Sequence, residues 1–314
     1  MVYPRKPVAG VGVLLALLLS CRGCPADTSV AVEETQRSDG GATDPEDSEY
    51  ITEDEYEILP IGYRYSLSDG YRDVENRYPF VVMVGARVEP QGTIMCSGTL
   101  LNPRLVLTAG HCVCGKREIS SPEDNAHSVI DSSRCVSTAT IDTATYTPTR
   151  DESGIPTVRY RTYEGKVFPH PDLEIFLDKR STPVSSRADL ALVVLDTPVA
   201  ERIPVLRLPS LEPKPHEPFL IAGYGLDGRT SFIEGSRRSG WKRVASRATS
   251  GRDRIWFEQY GAAFTVGSGE PCLHQQGSAF VLMGITTLNS VGESSFTSTY
   301  AYRDWLLSEV RRNP

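Results

Sequence analysis

His111 and Asp189 stand where the sequence could support proton-transfer chemistry. His111 follows the apolar run Leu105-Val106-Leu107 and is framed by Gly110 and Cys112. A neutral imidazole held at a strand end can take a proton from a hydroxyl or thiol near neutral pH and return it. Asp189 opens the run Leu190-Ala191-Leu192-Val193-Val194-Leu195. A carboxylate buried there and hydrogen-bonded to an imidazole would fix the ring tautomer and stabilise the imidazolium. Taken singly, a histidine after an apolar strand is usually structural, and an aspartate at a strand end more so. The cluster His111-Cys112-Val113-Cys114 has zinc-ligand residue types, but no second ligand pair at suitable spacing accompanies it, so no metal is expected.

The wider context changes the weight of both residues. Cys96-Ser97-Gly98-Thr99-Leu100-Leu101, followed by Val106-Leu107-Thr108-Ala109-Gly110-His111-Cys112, resembles the catalytic-histidine motif of the chymotrypsin/trypsin family of serine proteases. Ala188-Asp189-Leu190-Ala191-Leu192 is similar to that family's aspartate motif and follows in the family's order. Gly223-Tyr224-Gly225 resembles its Gly-Trp-Gly turn, and Tyr302-Arg303-Asp304-Trp305-Leu306 its terminal helix. The resemblance covers about residues 67–312. It implies two six-stranded antiparallel β-barrels with the site in the cleft between them, His111 as base, Asp189 as its orienter, and a Cys96–Cys112 disulfide bracing the histidine loop.

The family's nucleophile motif, Gly-Asp-Ser-Gly-Gly-Pro, lies just after a cysteine. Counting from Cys272 through Leu273-His274-Gln275-Gln276-Gly277-Ser278-Ala279 places Gln276 at the nucleophile and His274 at an oxyanion-hole glycine. A glutamine amide has no ionisable hydroxyl for His111 to activate. Ser278 is the alternative nucleophile, at the cost of two extra residues after Cys272. The family's freed N-terminus, Ile-Val-Gly-Gly, is replaced by Leu67-Ser68-Asp69-Gly70, and its partner aspartate by Gln275. Glu270 falls at the specificity-pocket floor, or is a solvated loop carboxylate. Thr287-Leu288-Asn289 replaces a Ser-Trp-Gly segment whose backbone pairs with substrate, and Asn289 is expected to crowd the groove. These departures predict a pseudoprotease that binds a polypeptide or a protease without cleaving it. An active serine endopeptidase using Ser278, and a structural surface lipoprotein, are the alternatives.

The elements that must position these residues are short. Phe80-Val81-Val82-Met83-Val84, Leu105-Val106-Leu107, Leu190 to Leu195 and Phe219-Leu220-Ile221-Ala222 are separated by Gly, Pro, Asn and Asp, the pattern of an all-β fold. Tyr302, Trp305, Leu306 and Val310 recur at helical spacing, with Asp304 early and Arg311 and Arg312 late, which predicts a C-terminal helix of about ten residues. Export implies an oxidising compartment, so the cysteines are read as disulfide halves. Cys114 and Cys135 form the second expected pair, with Cys272 unpaired.

Export itself is read from the N-terminus. Arg5 and Lys6 precede the apolar run Val11 to Leu19, and Leu18-Leu19-Ser20-Cys21 is similar to the lipobox of bacterial lipoproteins, which implies acylation of Cys21. Residues 1–20 are the expected signal, 21–65 an acidic disordered tether that could also dock on the domain, and 66–314 the folded domain. The formal net charge of −7 belongs to the tether, where residues 25–60 carry twelve acids against the single base Arg37. An exported lipoprotein anchored in a membrane, in the periplasm or at the cell surface, follows. Arg229 to Arg254 holds eight bases, among them Arg237, Arg238, Lys242 and Arg243, read as a solvated face or a receiver for an anionic partner. No aromatic interleaving or cofactor motif accompanies them, so neither nucleic acid nor a cofactor is expected.

Overall fold

The structure, a computed structural model, describes residues 71–120, 125–150, 152, 156–204, 206–225, 236–245, 253–258, 266–277, 279–289 and 294–314. Strand β1 (Tyr71–Arg72) opens it, followed by β2 (Val81–Val88), β3 (Gly92–Asn102) and β4 (Leu105–Thr108). A 3₁₀ turn, Gly110–Cys112, leads to β5 (Cys114–Glu118) and β6 (Ser128–Cys135). The long hairpin β7 (Thr138–Arg150) and β8 (Pro156–Pro169), then β9 (Glu174–Leu177), β10 (Pro183–Arg187) and β11 (Ala191–Leu195), complete the first half. The second half comprises β12 (Leu206–Arg207), β13 (Pro218–Gly223), β14 (Arg238–Val244), β15 (Arg254–Glu258), β16 (Pro271–Gln276), β17 (Ala279–Thr286), β18 (Ser295–Ser298) and the helix α1 (Arg303–Arg312).

Six strands close the first barrel in the order β11-β4-β3-β2-β7-β8, with β8 returning to β11. Leu105, Val106 and Leu107 of β4, and Ala191, Leu192 and Val193 of β11, are buried on both faces, which is why these runs are continuously apolar rather than alternating. On β7 the alternation is visible, with Ala139 and Ile141 inside and Thr138 exposed. A second ring runs β14-β13-β16-β17-β18-β15 and closes where β15 pairs with β14. Phe219, Ile221, Phe257, Met283 and Phe296 pack inside it around the buried free thiol of Cys272. The two expected six-stranded rings are therefore present, and a separate four-stranded sheet, β10-β9-β6-β5, is added to them. The helix forms over the expected ten residues, with Asp304 in its first turn and the two arginines in its last.

Both expected disulfides are formed, Cys96–Cys112 and Cys114–Cys135. The basic stretch departs from expectation, because Arg237, Lys242 and Arg254 are buried rather than arrayed on a solvated face. Arg237 is fully buried and pairs through Nε with Asp73 Oδ2 at 2.7 Å, while its Nη1 donates to Ala144 O at 3.0 Å. Arg254 donates to Ser295 Oγ at 2.8 Å and lies over the Trp256 ring. Sequence counts charge, but cannot show that the second barrel turns these guanidinium groups inward onto carboxylate, carbonyl and aromatic partners.

Candidate active site

His111 sits in the 3₁₀ turn that ends β4. Gly110 precedes it because a Cβ there would stand 2.7 Å from Leu173 Cδ1, and the disulfide from Cys112 to Cys96 ties the turn to β3. Asp189 arrives from the other direction, just before β11. Its predecessor Ala188 has a left-handed φ of 49°, uncommon for a residue with a Cβ, and its N–H donates to Asp253 Oδ2 at 2.9 Å. That bond holds the bend that aims Asp189 inward.

The two side chains meet. His111 Nδ1 lies 2.7 Å from Asp189 Oδ2, and the His111 backbone N–H donates to Asp189 Oδ1 at 2.9 Å. The Thr287 hydroxyl also donates to Asp189 Oδ2, and the Leu288 N–H reaches the same oxygen at 3.4 Å. Burial by itself would raise the Asp189 pKa, yet the facing His111 ring and the hydrogen bonds from His111 and Thr287 hold it below the usual carboxylate range. An ionised, acceptor-only carboxylate requires the proton on Nδ1, which leaves Nε2 with its lone pair free to accept a proton. Cys96, His111 and Cys112 are also close enough to suggest a metal cluster, but both sulfurs are spent in the disulfide and offer no thiolate.

A second piece is brought to this pair by the turn Gly267–Glu270, immediately before β16. Ser97, the neighbour of Cys96, donates its N–H to Ser268 O at 2.9 Å. On the other side, Gly269 N–H donates to Thr286 O at 3.0 Å and Thr286 N–H to Glu270 O at 2.9 Å. The Thr286 hydroxyl completes the clamp, donating to Gly267 O at 2.7 Å and accepting the Glu270 N–H at 2.8 Å. Gly269 has φ +78°, and any Cβ there would collide with Ser97 O and the Thr108 hydroxyl, so the turn requires glycine. Ser268, half-buried, is thus held between the strand tied to the His111 loop and the strand end that carries Thr287.

This geometry corrects the count from Cys272. Pro271 pairs with Ile285 and Gln276 with Ala279, so β16 runs away from Thr286 after Pro271. Gln276 opposes a residue seven positions from Thr286, about 23 Å along β17 at ~3.3 Å per residue. Gln275 and Gln276 are exposed near the hairpin tip. His274 stands mid-strand, opposite Val281, with Nδ1 3.3 Å from Glu217 Oε1 but outside hydrogen-bonding geometry, and it does not line an oxyanion hole. Ser278 and the N-terminal residues, Cys21, Cys24 and Leu67 to Gly70 included, lie outside the described residues.

Glu270 is neither a pocket floor nor a solvated carboxylate. It is fully buried, its Oε1 accepts the Gly225 N–H at 2.9 Å and the Gly267 N–H, and burial pushes its pKa up to about 8. Thr287 turns its side chain to Asp189 rather than into a pocket. Asn289 folds back on its own segment, donating to Thr287 O at 2.7 Å while its Oδ1 accepts from Arg254 and from Ser295.

Ser268 is a candidate that counting from Cys272 passes over. The signal was present, since Gly267-Ser268-Gly269-Glu270-Pro271 keeps the Ser-Gly-x-Pro core of the family motif. Anchoring the count on Cys272, a core residue of the following strand, obscured it.

The sequence matches the family model described as Trypsin over residues 68–306, about three-quarters of the chain. The chain belongs to the trypsin family. Among solved structures, this trypsin-family fold is similar to a scabies mite inactivated protease paralogue, S-I1, at 18% identity and a TM-score of 0.50, over 78% of this chain and 100% of that one. It is likewise similar to a structure described as GrC, at 17% identity and a TM-score of 0.52, over 77% of this chain and 98% of that one. At these identities the likeness is one of fold. No curated protein matches the sequence.

Proposed function

We propose that the chain is a serine peptidase of the trypsin family in which Ser268 is the nucleophile, His111 the general base and Asp189 its orienting carboxylate. The observation that carries this reading is the clamp that fixes the Ser268 turn to Ser97 on one side and Thr286 on the other. In the acylation step Ser268 Oγ attacks the scissile carbonyl carbon while its proton passes to His111 Nε2. The other proton stays on Nδ1, hydrogen-bonded to Asp189 Oδ2, and the imidazolium then gives its Nε2 proton to the departing amine. Water, deprotonated by the same Nε2, cleaves the acyl-enzyme and returns Ser268.

A second reading is a trypsin scaffold that binds polypeptide without cleaving it. Two observations favour it. Among the described residues Ser268 Oγ makes no hydrogen bond with His111, and the Asn289 amide occupies Thr287 O, in the segment whose backbone would pair with substrate. Apo triads often tighten only when substrate binds, which keeps the first reading ahead. Labelling of the intact protein with a fluorophosphonate probe separates them: adduct on Ser268 supports the peptidase, and no adduct supports the binding scaffold. In either reading residues 21–65 serve as a membrane tether through lipid on Cys21.

A further inference from the structure

Glu270 stands inside the turn that presents Ser268, yet no step of the proposed reaction uses it. Its carboxylate is fully buried and inserted among three glycines. Oε1 accepts the N–H groups of Gly225, at 2.9 Å, and of Gly267, the residue before Ser268. A Cβ on Gly267 would stand 2.9 Å from that oxygen, and one on Gly223 would overlap the carboxyl group outright. Oε2 is buried and without a hydrogen-bond partner. A carboxyl group this costly to bury is retained where its bonds hold something in place. Here they hold two glycine amides that otherwise belong to different strand ends, Gly225 after β13 and Gly267 before β16.

We propose that Glu270 is the positioning residue of the Ser268 turn: it fastens Gly267 to Gly225 from within the turn, so that Ser268 is set in place in the uncleaved chain. The proposal rests on the reading of Ser268 as nucleophile for its catalytic consequence, but not for the fastening itself. The position before Ser268 is a glycine, which has no side chain with which to anchor the turn to a freed N-terminal amine. The anchor is supplied three residues later instead, by a side chain folded back over its own turn. Gly223 and Gly267 are the complement, since both must lack a Cβ for the carboxyl group to enter.

The test uses full-length protein and the variants Glu270→Ala, Glu270→Gln and Gly223→Ala, with two readouts. Amide hydrogen exchange of peptides spanning residues 223–225 and 266–270 reports the fastening, and the rate of fluorophosphonate adduct formation on Ser268 reports its consequence. Glu270→Ala and Gly223→Ala are expected to speed exchange of the Gly225 and Gly267 amides by about tenfold or more and to slow labelling by about tenfold or more. Glu270→Gln, whose amide oxygen can accept the same two bonds, should stay within about threefold of the parent in both. Gly223→Ala carries the test if Glu270→Ala does not fold. Unchanged exchange in Glu270→Ala, or a Glu270→Gln variant as loose as Glu270→Ala, overturns the proposal. If the parent protein takes no label, the nucleophile reading fails, while the exchange rates still decide whether Glu270 fastens the turn.

Discussion

Ser97 and Ser268 are joined by one backbone hydrogen bond, from the Ser97 N–H to the Ser268 carbonyl at 2.9 Å. It links β3 of the first barrel to the turn before β16 of the second, where the proposed function puts the nucleophile. One residue from Ser97, the Cys96–Cys112 disulfide reaches the neighbour of His111, so the base and the serine are referenced to the same short stretch of β3. A positional error in either barrel would otherwise add to that of the other, and a misplacement of about 1 Å can cost about a hundredfold in rate.

The roles of Ser268 and Gln276 separate cleanly in kinetics. Ser268→Ala should reduce peptide hydrolysis to background, a loss on the order of 10⁶-fold if the triad acts as a unit. Gln276→Ala, at the exposed hairpin tip, should leave turnover within about twofold of the parent. Hydrolysis that survives Ser268→Ala but disappears in Ser278→Ala would move the nucleophile to Ser278.

Thr287→Val removes a hydroxyl donor from a fully buried carboxylate while keeping its volume. We expect a loss of about 1–3 kcal/mol in urea unfolding. Asp189 is held below its ordinary pKa in the fold, so its contribution to stability is present above the unfolded value and lost as pH falls through the folded one. Removing a bond to the charged form raises the folded value, and the acid loss of stability should begin at higher pH in the variant. An unchanged acid limb would show that the hydroxyl contributes nothing to the charge on Asp189.

Glu270 works in the opposite direction. Its pKa rises from 4.5 to about 8 on folding because burial disfavours the charged form, against the lowering by the Gly267 and Gly225 N–H groups and by nearby Lys242. The protonated acid is therefore favoured by the fold. Its contribution is complete below about 4.5 and is lost as pH climbs to about 8. Unfolding titrations across that window should show stability falling with pH in the parent and a flatter profile in Glu270→Gln. Cys272, also buried beside Glu270, has its thiol pushed up and stays neutral throughout.

Asp73→Ala leaves the fully buried guanidinium of Arg237 without its carboxylate. The expected cost is about 3–5 kcal/mol, the range for breaking one side of a buried ion pair. The double variant Asp73→Ala with Arg237→Met should recover part of it, and a thermal melt in which both variants match the parent would show the pair to be dispensable.

Cys21→Ala tests the tether. Acyl chains contribute about 0.8 kcal/mol per buried methylene, so the parent should partition with membranes and the variant with the soluble fraction. Intact mass should show the lipid increment on Cys21 in the parent alone. The same fractionation for both proteins would remove the lipoprotein reading.

What the sequence determined by itself is local. The apolar run before His111, the aspartate opening Leu190 to Leu195, the strand punctuation and the helical spacing of Tyr302, Trp305 and Leu306 all act within short segments, where period and residue type dictate the outcome. Tertiary structure decided where the Ser268 turn is fastened, because Ser97, on β3 of the other barrel, donates to Ser268 O, and Thr286, at the far end of the β16–β17 hairpin, bonds Gly269 and Glu270. It also decided that Glu270 points inward. A carboxylate in a loop costs little in water and a great deal when buried, and only the assembled cradle of Gly223, Gly225 and Gly267 supplies the room and the N–H groups that let it enter.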